Sequence, residues 1–154
     1  MAIGITKTEH ISGFPSKVAA SSGCPHIYNI RLTADHDNLQ LVGRGNYVAF
    51  DEYQETTVPN GFTAVIRQQA ANGRWYVEVT SDTEALLLWN SPLNPYTEAD
   101  LSSEKYFYNA QGDTVKGYEL FDGDVYEVSA IAFDGTPVAG KALTYVNGKY
   151  KVSA

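Results

Sequence analysis

Short apolar–polar alternations, broken every few residues by Gly, Asn, Asp or Pro, set the tightest limit on what this chain can fold into. Trp75, Val77 and Val79 alternate with Tyr76, Glu78 and Thr80, which places the two sets on opposite faces of an extended strand. Tyr28, Ile30 and Leu32 alternate in the same way with Asn29 and Arg31. The runs Leu143–Val146 and Lys149–Val152 flank Asn147-Gly148, a pair that accepts positive φ at both positions and so closes a two-residue hairpin. Further turns are read at Pro59-Asn60-Gly61, Asn72-Gly73, Gln111-Gly112-Asp113, Asp122-Gly123-Asp124 and Asp134-Gly135-Thr136-Pro137.

Between these turns, Leu39–Val42 reads as a short strand closed by Gly43-Arg44-Gly45-Asn46, and Tyr47–Tyr53 as the next. Val125–Phe133 is the longest strand candidate, with Tyr126, Val128, Ala130 and Ala132 on one face. Ala85–Trp89 is apolar throughout, as a strand covered on both faces should be. Pro92 and Pro95 bar a strand, and Thr97 stands three before Asp100, an approximate capping box that predicts one short helix. The expected class is all-β (mainly β): a small β-barrel or sandwich over residues 27–154 with that single helix.

Residues 1–26 differ from the rest. They are rich in Gly, Ser, Ala and Thr, carry Pro15 and Pro25, and contain the linker-like run Ala19-Ala20-Ser21-Ser22-Gly23. Yet Ile3, Ile5, Ile11, Phe14 and Val18 are apolar residues that a free tail does not need. The expectation is an extended N-terminal arm that orders on a partner surface, with a disordered terminus as the alternative. Twenty extended residues reach about 65 Å, well beyond a globule whose radius of gyration is about 15 Å.

Charge and cysteine usage narrow the function. Eleven Lys and Arg against 18 Asp and Glu leave a net charge of −7, with no basic cluster, which argues against nucleic acid as a partner. No apolar run approaches the ~20 residues of a membrane-spanning helix, and no secretory signal pattern is seen at the start of the chain. Cys24 is alone, so neither an internal disulfide nor a cysteine-built zinc site is expected. No cofactor is expected.

Candidate chemistry is sparse. Asp35-His36-Asp37 resembles a ligand triplet, but neighbours in an extended chain point to opposite faces, and a polar loop is the simpler reading. Cys24-Pro25-His26 lacks an orienting third group. Asp122-Gly123-Asp124 with Glu127 lacks the alternating oxygen ligands of a calcium loop. Glu52 with Glu55, or Asp122 with Asp124, could form a hydrolase pair only if they faced each other across a cleft. No catalytic residue and no metal ligand is therefore assigned. Eleven tyrosines say more, since each supplies rigid amphipathic area suited to contact surfaces. Tyr106, Phe107 and Tyr108 are consecutive and put rings on both faces of their segment.

Phe107-Tyr108-Asn109-Ala110-Gln111-Gly112-Asp113, then the run Val115-Lys116-Gly117-Tyr118-Glu119-Leu120-Phe121-Asp122-Gly123-Asp124-Val125-Tyr126-Glu127-Val128, then Ala132-Phe133-Asp134-Gly135-Thr136-Pro137-Val138-Ala139-Gly140-Lys141 form a motif series. The series resembles the capsid decoration (head auxiliary, or cement) proteins of tailed bacteriophages. Lys116 stands where Arg is usual in that pattern, and residues 60–73 have no counterpart. The resemblance implies a non-enzymatic virion protein, made in the host cytoplasm and seated on the outer surface of the capsid. Its partner would be the phage major capsid protein, with self-association as a trimer or dimer on the lattice. On that expectation Ile3, Ile5, Ile11 and Phe14 bind the capsid, and Tyr106, Tyr108 and Tyr118 make oligomer or capsid contacts. The alternative is a carbohydrate-binding β module displayed on a virion, with Trp75 or Trp89 stacking on sugar.

Overall fold

In the computed structural model, residues 3–5, 11–17, 27–71, 73–90 and 107–153 are described. Their strands are β1 (Ile3–Ile5), β2 (Gly13–Lys17), β3 (Ile27–Arg31), β4 (Leu41–Ala49), β5 (Glu52–Thr56), β6 (Ala64–Gln69) and β7 (Trp75–Val79). There follow β8 (Leu86–Leu88), β9 (Phe107–Asn109), β10 (Thr114–Glu119), β11 (Val125–Val128), β12 (Phe133–Asp134), β13 (Ala142–Val146) and β14 (Lys149–Val152). The protein is mainly β, as the alternation predicts. β10, β3, β5, β4 and β8 close a five-stranded barrel, and β12, β14, β13, β6, β7, β11 and β2 form a seven-stranded sheet in that order. β1 and β9 make a separate two-stranded ribbon.

The apolar run at β8 shows why barrel and sheet belong together. Side chains alternate across a strand, so Leu86 and Leu88 enter the barrel core with Ile30, Leu32, Val42 and Val115. Leu87 faces the other way, into the main core with Ile66, Val77, Val79, Leu120, Tyr126 and Tyr150. Gly117 sits on the barrel-facing side of β10, where a Cβ would come within 3.1 Å of Leu86 Cβ and 3.2 Å of Ile30 Cγ1. The hairpin expected at Asn147-Gly148 forms with φ of 51° and 81°, and Val146 pairs with Lys149.

Two strand boundaries differ from expectation. The chain does not turn at Gly43-Arg44-Gly45-Asn46; β4 continues to Ala49, with register shifts against β5 between Arg44 and Tyr47 and between Tyr47 and Ala49. Both glycines serve close approach instead, since a Cβ at Gly43 would lie 2.4 Å from the Thr57 carbonyl oxygen and one at Gly45 2.5 Å from that of Gln54. Val125–Phe133 is likewise not one strand. A 3₁₀ turn at Ala130–Ala132, closed by the Ala132 amide donating to the Ser129 carbonyl, separates β11 from β12. The helix predicted from Thr97 lies outside the described residues.

Where the front of the chain is described, at residues 3–5 and 11–17, its strands pair within the same chain, not with a partner. β2 adds to the outer edge of β11, with Gly13 opposite Val128 and Phe14 opposite Glu127. Ile11, only 2% exposed, is part of the main core. Its amide donates to Asp37 Oδ2, the Ser12 amide donates to Ser129 Oγ, and the Trp89 indole donates to the Gly13 carbonyl. The physical reason is local: an unpaired β11 edge and an apolar side chain both find partners within the same molecule. β1 pairs with β9, Ile3 opposite Asn109 and Ile5 opposite Phe107.

Candidate interaction surface

Most of the acidic residues singled out from the sequence serve as framework groups. Asp35 accepts from the Gln111 amide, and Asp37 from the Ile11 amide. His36 lies between Gln40 Oε1 on Nδ1 and Glu55 Oε2 on Nε2, at 2.9 and 2.5 Å. Glu55 also accepts from the Thr33 amide and hydroxyl. The triplet thus ties a loop to four different partners instead of converging on one point. Glu52 accepts from Thr114 Oγ1 at 2.7 Å and pairs with Arg31 at 3.2 Å; the Thr114 hydroxyl, helped by Arg31, holds its carboxyl below the usual range. Asp124 closes its own turn by accepting from the Phe121 amide, and Glu127 pairs with Arg74. No group of three metal-ligating side chains occurs among the described residues. Cys24-Pro25-His26 lies outside them.

The residues expected to make contacts are scattered. Ile11 is buried in the core and unavailable to a partner. Ile3, Ile5 and Phe14 have their backbones in β1 and β2. Tyr106 lies outside the described residues. Tyr108 and Tyr118 are half-buried; Tyr118 packs on the main core, and that burial raises its hydroxyl pKa. Trp75 and Trp89 also pack against the main core. A sugar-stacking role would therefore have to use partly covered rings.

A different element presents apolar surface. β4 pairs with β8 only at Leu41 and Val42, then continues to Ala49 with β5 alone beside it among the described residues. The connection is Phe50-Asp51, with Asp51 at φ 57° and both its carbonyl and its carboxylate accepting from Asn29 Nδ2 at 3.0 Å. Phe50 is 90% exposed, Tyr47 61% and Val48 39%. Behind them the rings are stacked edge to face: Tyr47 on Tyr53 at 5.7 Å, and Tyr53 on Tyr28 at 5.8 Å. Tyr28 and Tyr53 pack on the barrel core, so the tip is braced from inside. The Arg44 guanidinium lies over both inner rings, 4.7 and 5.2 Å from their centroids. Sequence reading placed this region inside a strand and missed it. The available signal was a Phe beside an Asp where turn chemistry would select Gly or Asn.

The groove beside this hairpin, about 150 Å³, is lined by Tyr28, Arg44, Thr57, Glu84, Leu86 and Glu119, and a wider depression of about 440 Å³ shares Glu84 and Glu119 with it. Comparison with protein-family models, with curated proteins and with solved structures finds no match to this chain.

Buried hydroxyls make the framework sensitive to alkali. Burial pushes the Tyr145 hydroxyl up to about 12 and those of Tyr126 and Tyr150 well above the ordinary value of 10. Each is neutral in the fold, so the folded state keeps its proton where the unfolded chain has lost it. Stability is thus complete below about pH 10 and falls as pH rises toward 12. The share of tyrosinate absorbance at 295 nm that comes from these three buried rings should appear together with the loss of circular dichroism. Full tyrosine ionisation with an unchanged dichroism signal would contradict this.

Proposed function

We propose that the protein is a capsid decoration protein of a tailed bacteriophage. It binds the outer face of the major capsid lattice, stabilises the head and catalyses no reaction. The observation that carries this reading is that Asp35, Asp37, Glu52, Glu55, Asp124 and Glu127, the carboxylates in the motifs that first invite a chemical role, each bond to a framework donor. The motif series that resembles the decoration family supports it from the sequence side. Its turns and apolar positions fall on β9 to β12, including the space-limited Gly117 and the buried Val115, Tyr126 and Val128. A net charge of −7 suits a surface turned away from packaged DNA. Attachment as a dimer or trimer, repeated across a lattice, would turn weak single contacts into high occupancy.

The test is direct. Capsids purified from a phage deleted for this gene are mixed with the purified protein and examined by negative-stain microscopy and co-sedimentation. Regular surface protrusions and a saturating number of bound copies are expected. Smooth capsids, with all the protein left in the supernatant, would overturn the reading.

A further inference from the structure

We infer that the β4–β5 hairpin is the plug that seats the protein on the capsid, with Phe50 entering an apolar pocket whose rim carries a carboxylate facing Arg44. The inference rests on the decoration reading and names the contact within it. Three features of the hairpin support it.

The first is position. A turn residue is ordinarily chosen for its backbone preferences, and Phe offers none. Phe50 is nonetheless 90% exposed, close in sequence to Tyr47 and Val48, at the end of a strand that β8 no longer pairs beyond Val42. Single exposed apolar residues are common, but three within four positions at one hairpin end are a concentration that folding does not require.

The second is bracing. The Tyr47–Tyr53–Tyr28 stack and the Asn29–Asp51 bonds hold the tip in one shape, so little ordering entropy is lost when it docks.

The third is charge. Glu52 already pairs with Arg31, Asp51 with Asn29 and Glu55 with His36, whereas Arg44 has no carboxylate partner among the described residues. In a chain of net charge −7 this cation, seated over the Tyr28 and Tyr53 rings without an ion-pair partner among those residues, is the group on the hairpin that an acid on a partner would complement.

Area decides between occupants. With aromatic side chains of roughly 150–250 Å² each, the three exposed groups offer about 350 Å². A stable dimer needs about 800 Å² from each partner. The tip is too small to hold a second copy alone, but suffices where copies linked as a dimer or trimer seat several tips at once on one repeating lattice.

Capsids lacking the protein are titrated with wild type, Phe50→Ser, Arg44→Glu, Arg44→Gln and Val138→Ser, each first checked for an unchanged thermal midpoint. Phe50→Ser should raise the concentration for half-occupancy at least ten-fold. Arg44→Glu should raise it as much and Arg44→Gln less, while Val138→Ser, at an exposed apolar site elsewhere, matches wild type. Wild-type binding with an unchanged Phe50→Ser titration would overturn the plug and leave the decoration reading standing. An unchanged Arg44→Glu titration would remove the acidic rim. Failure of wild type to bind would overturn both proposals. A dimer seen by light scattering and lost in Phe50→Ser would assign the tip to a second copy and overturn the capsid contact.

Discussion

Removal of residues 1–17 is expected to cost the protein most of its stability. Burial of Ile11 alone contributes about 2 kcal/mol. The same cut strips the outer neighbour from β11 and leaves the Trp89 indole, Asp37 and Ser129 without the backbone groups they now bond. With about 1 kcal/mol for each of these part-buried hydrogen bonds lost, the sum is a large part of the roughly 5–15 kcal/mol that holds a domain folded. Urea denaturation should show a midpoint lowered by more than half, or a chain that aggregates through the bared edge. A truncated protein with the full-length midpoint would mean that β2 is dispensable, and would return the front segment to consideration as a tether.

Tyr150 should be the most costly single position. Its ring is fully buried against Phe62, Tyr126, Phe133 and Tyr145, so Tyr150→Ala should cost about 3–5 kcal/mol through lost packing and the cavity left behind. The hydroxyls give a sharper comparison. Tyr126 donates to Tyr150 at 2.9 Å, and Tyr150 donates in turn to the carbonyl of Leu39, a buried residue held at φ 67°. Tyr150→Phe leaves both a donor and an acceptor unmatched, at about 2–4 kcal/mol, whereas Tyr126→Phe keeps the Leu39 bond and should cost about 1 kcal/mol. Equilibrium unfolding of the two variants decides the matter. A larger loss for Tyr126→Phe would reverse the bonding order described.

Features set by local chemistry were legible in the sequence, and those set by distant partners were not. Asn147-Gly148 carries its own backbone preference, so its hairpin could be read directly. Leu86-Leu87-Leu88 reads as doubly covered because no position in it tolerates water. Gly43 and Gly45 misled because glycine serves both turns and close contacts, and the carbonyls they approach belong to β5 and the residue after it. The front segment showed its apolar residues, but β11, which receives it, lies more than a hundred positions along the chain. The contact surface was missed for a related reason. Tyr47, Val48 and Phe50 look like strand residues bound for a core, and only the end of β8 pairing at Val42 leaves them in solvent.

That three-residue strand has a thermodynamic consequence. Because Leu86 and Leu88 line one apolar compartment and Leu87 the other, neither can melt while its neighbour stays intact. Water entering the barrel removes a wall from the larger core, and the reverse holds equally. A molecule built around such a partition behaves as one cooperative unit: whatever strain reaches it from outside is shared across the whole body or released all at once.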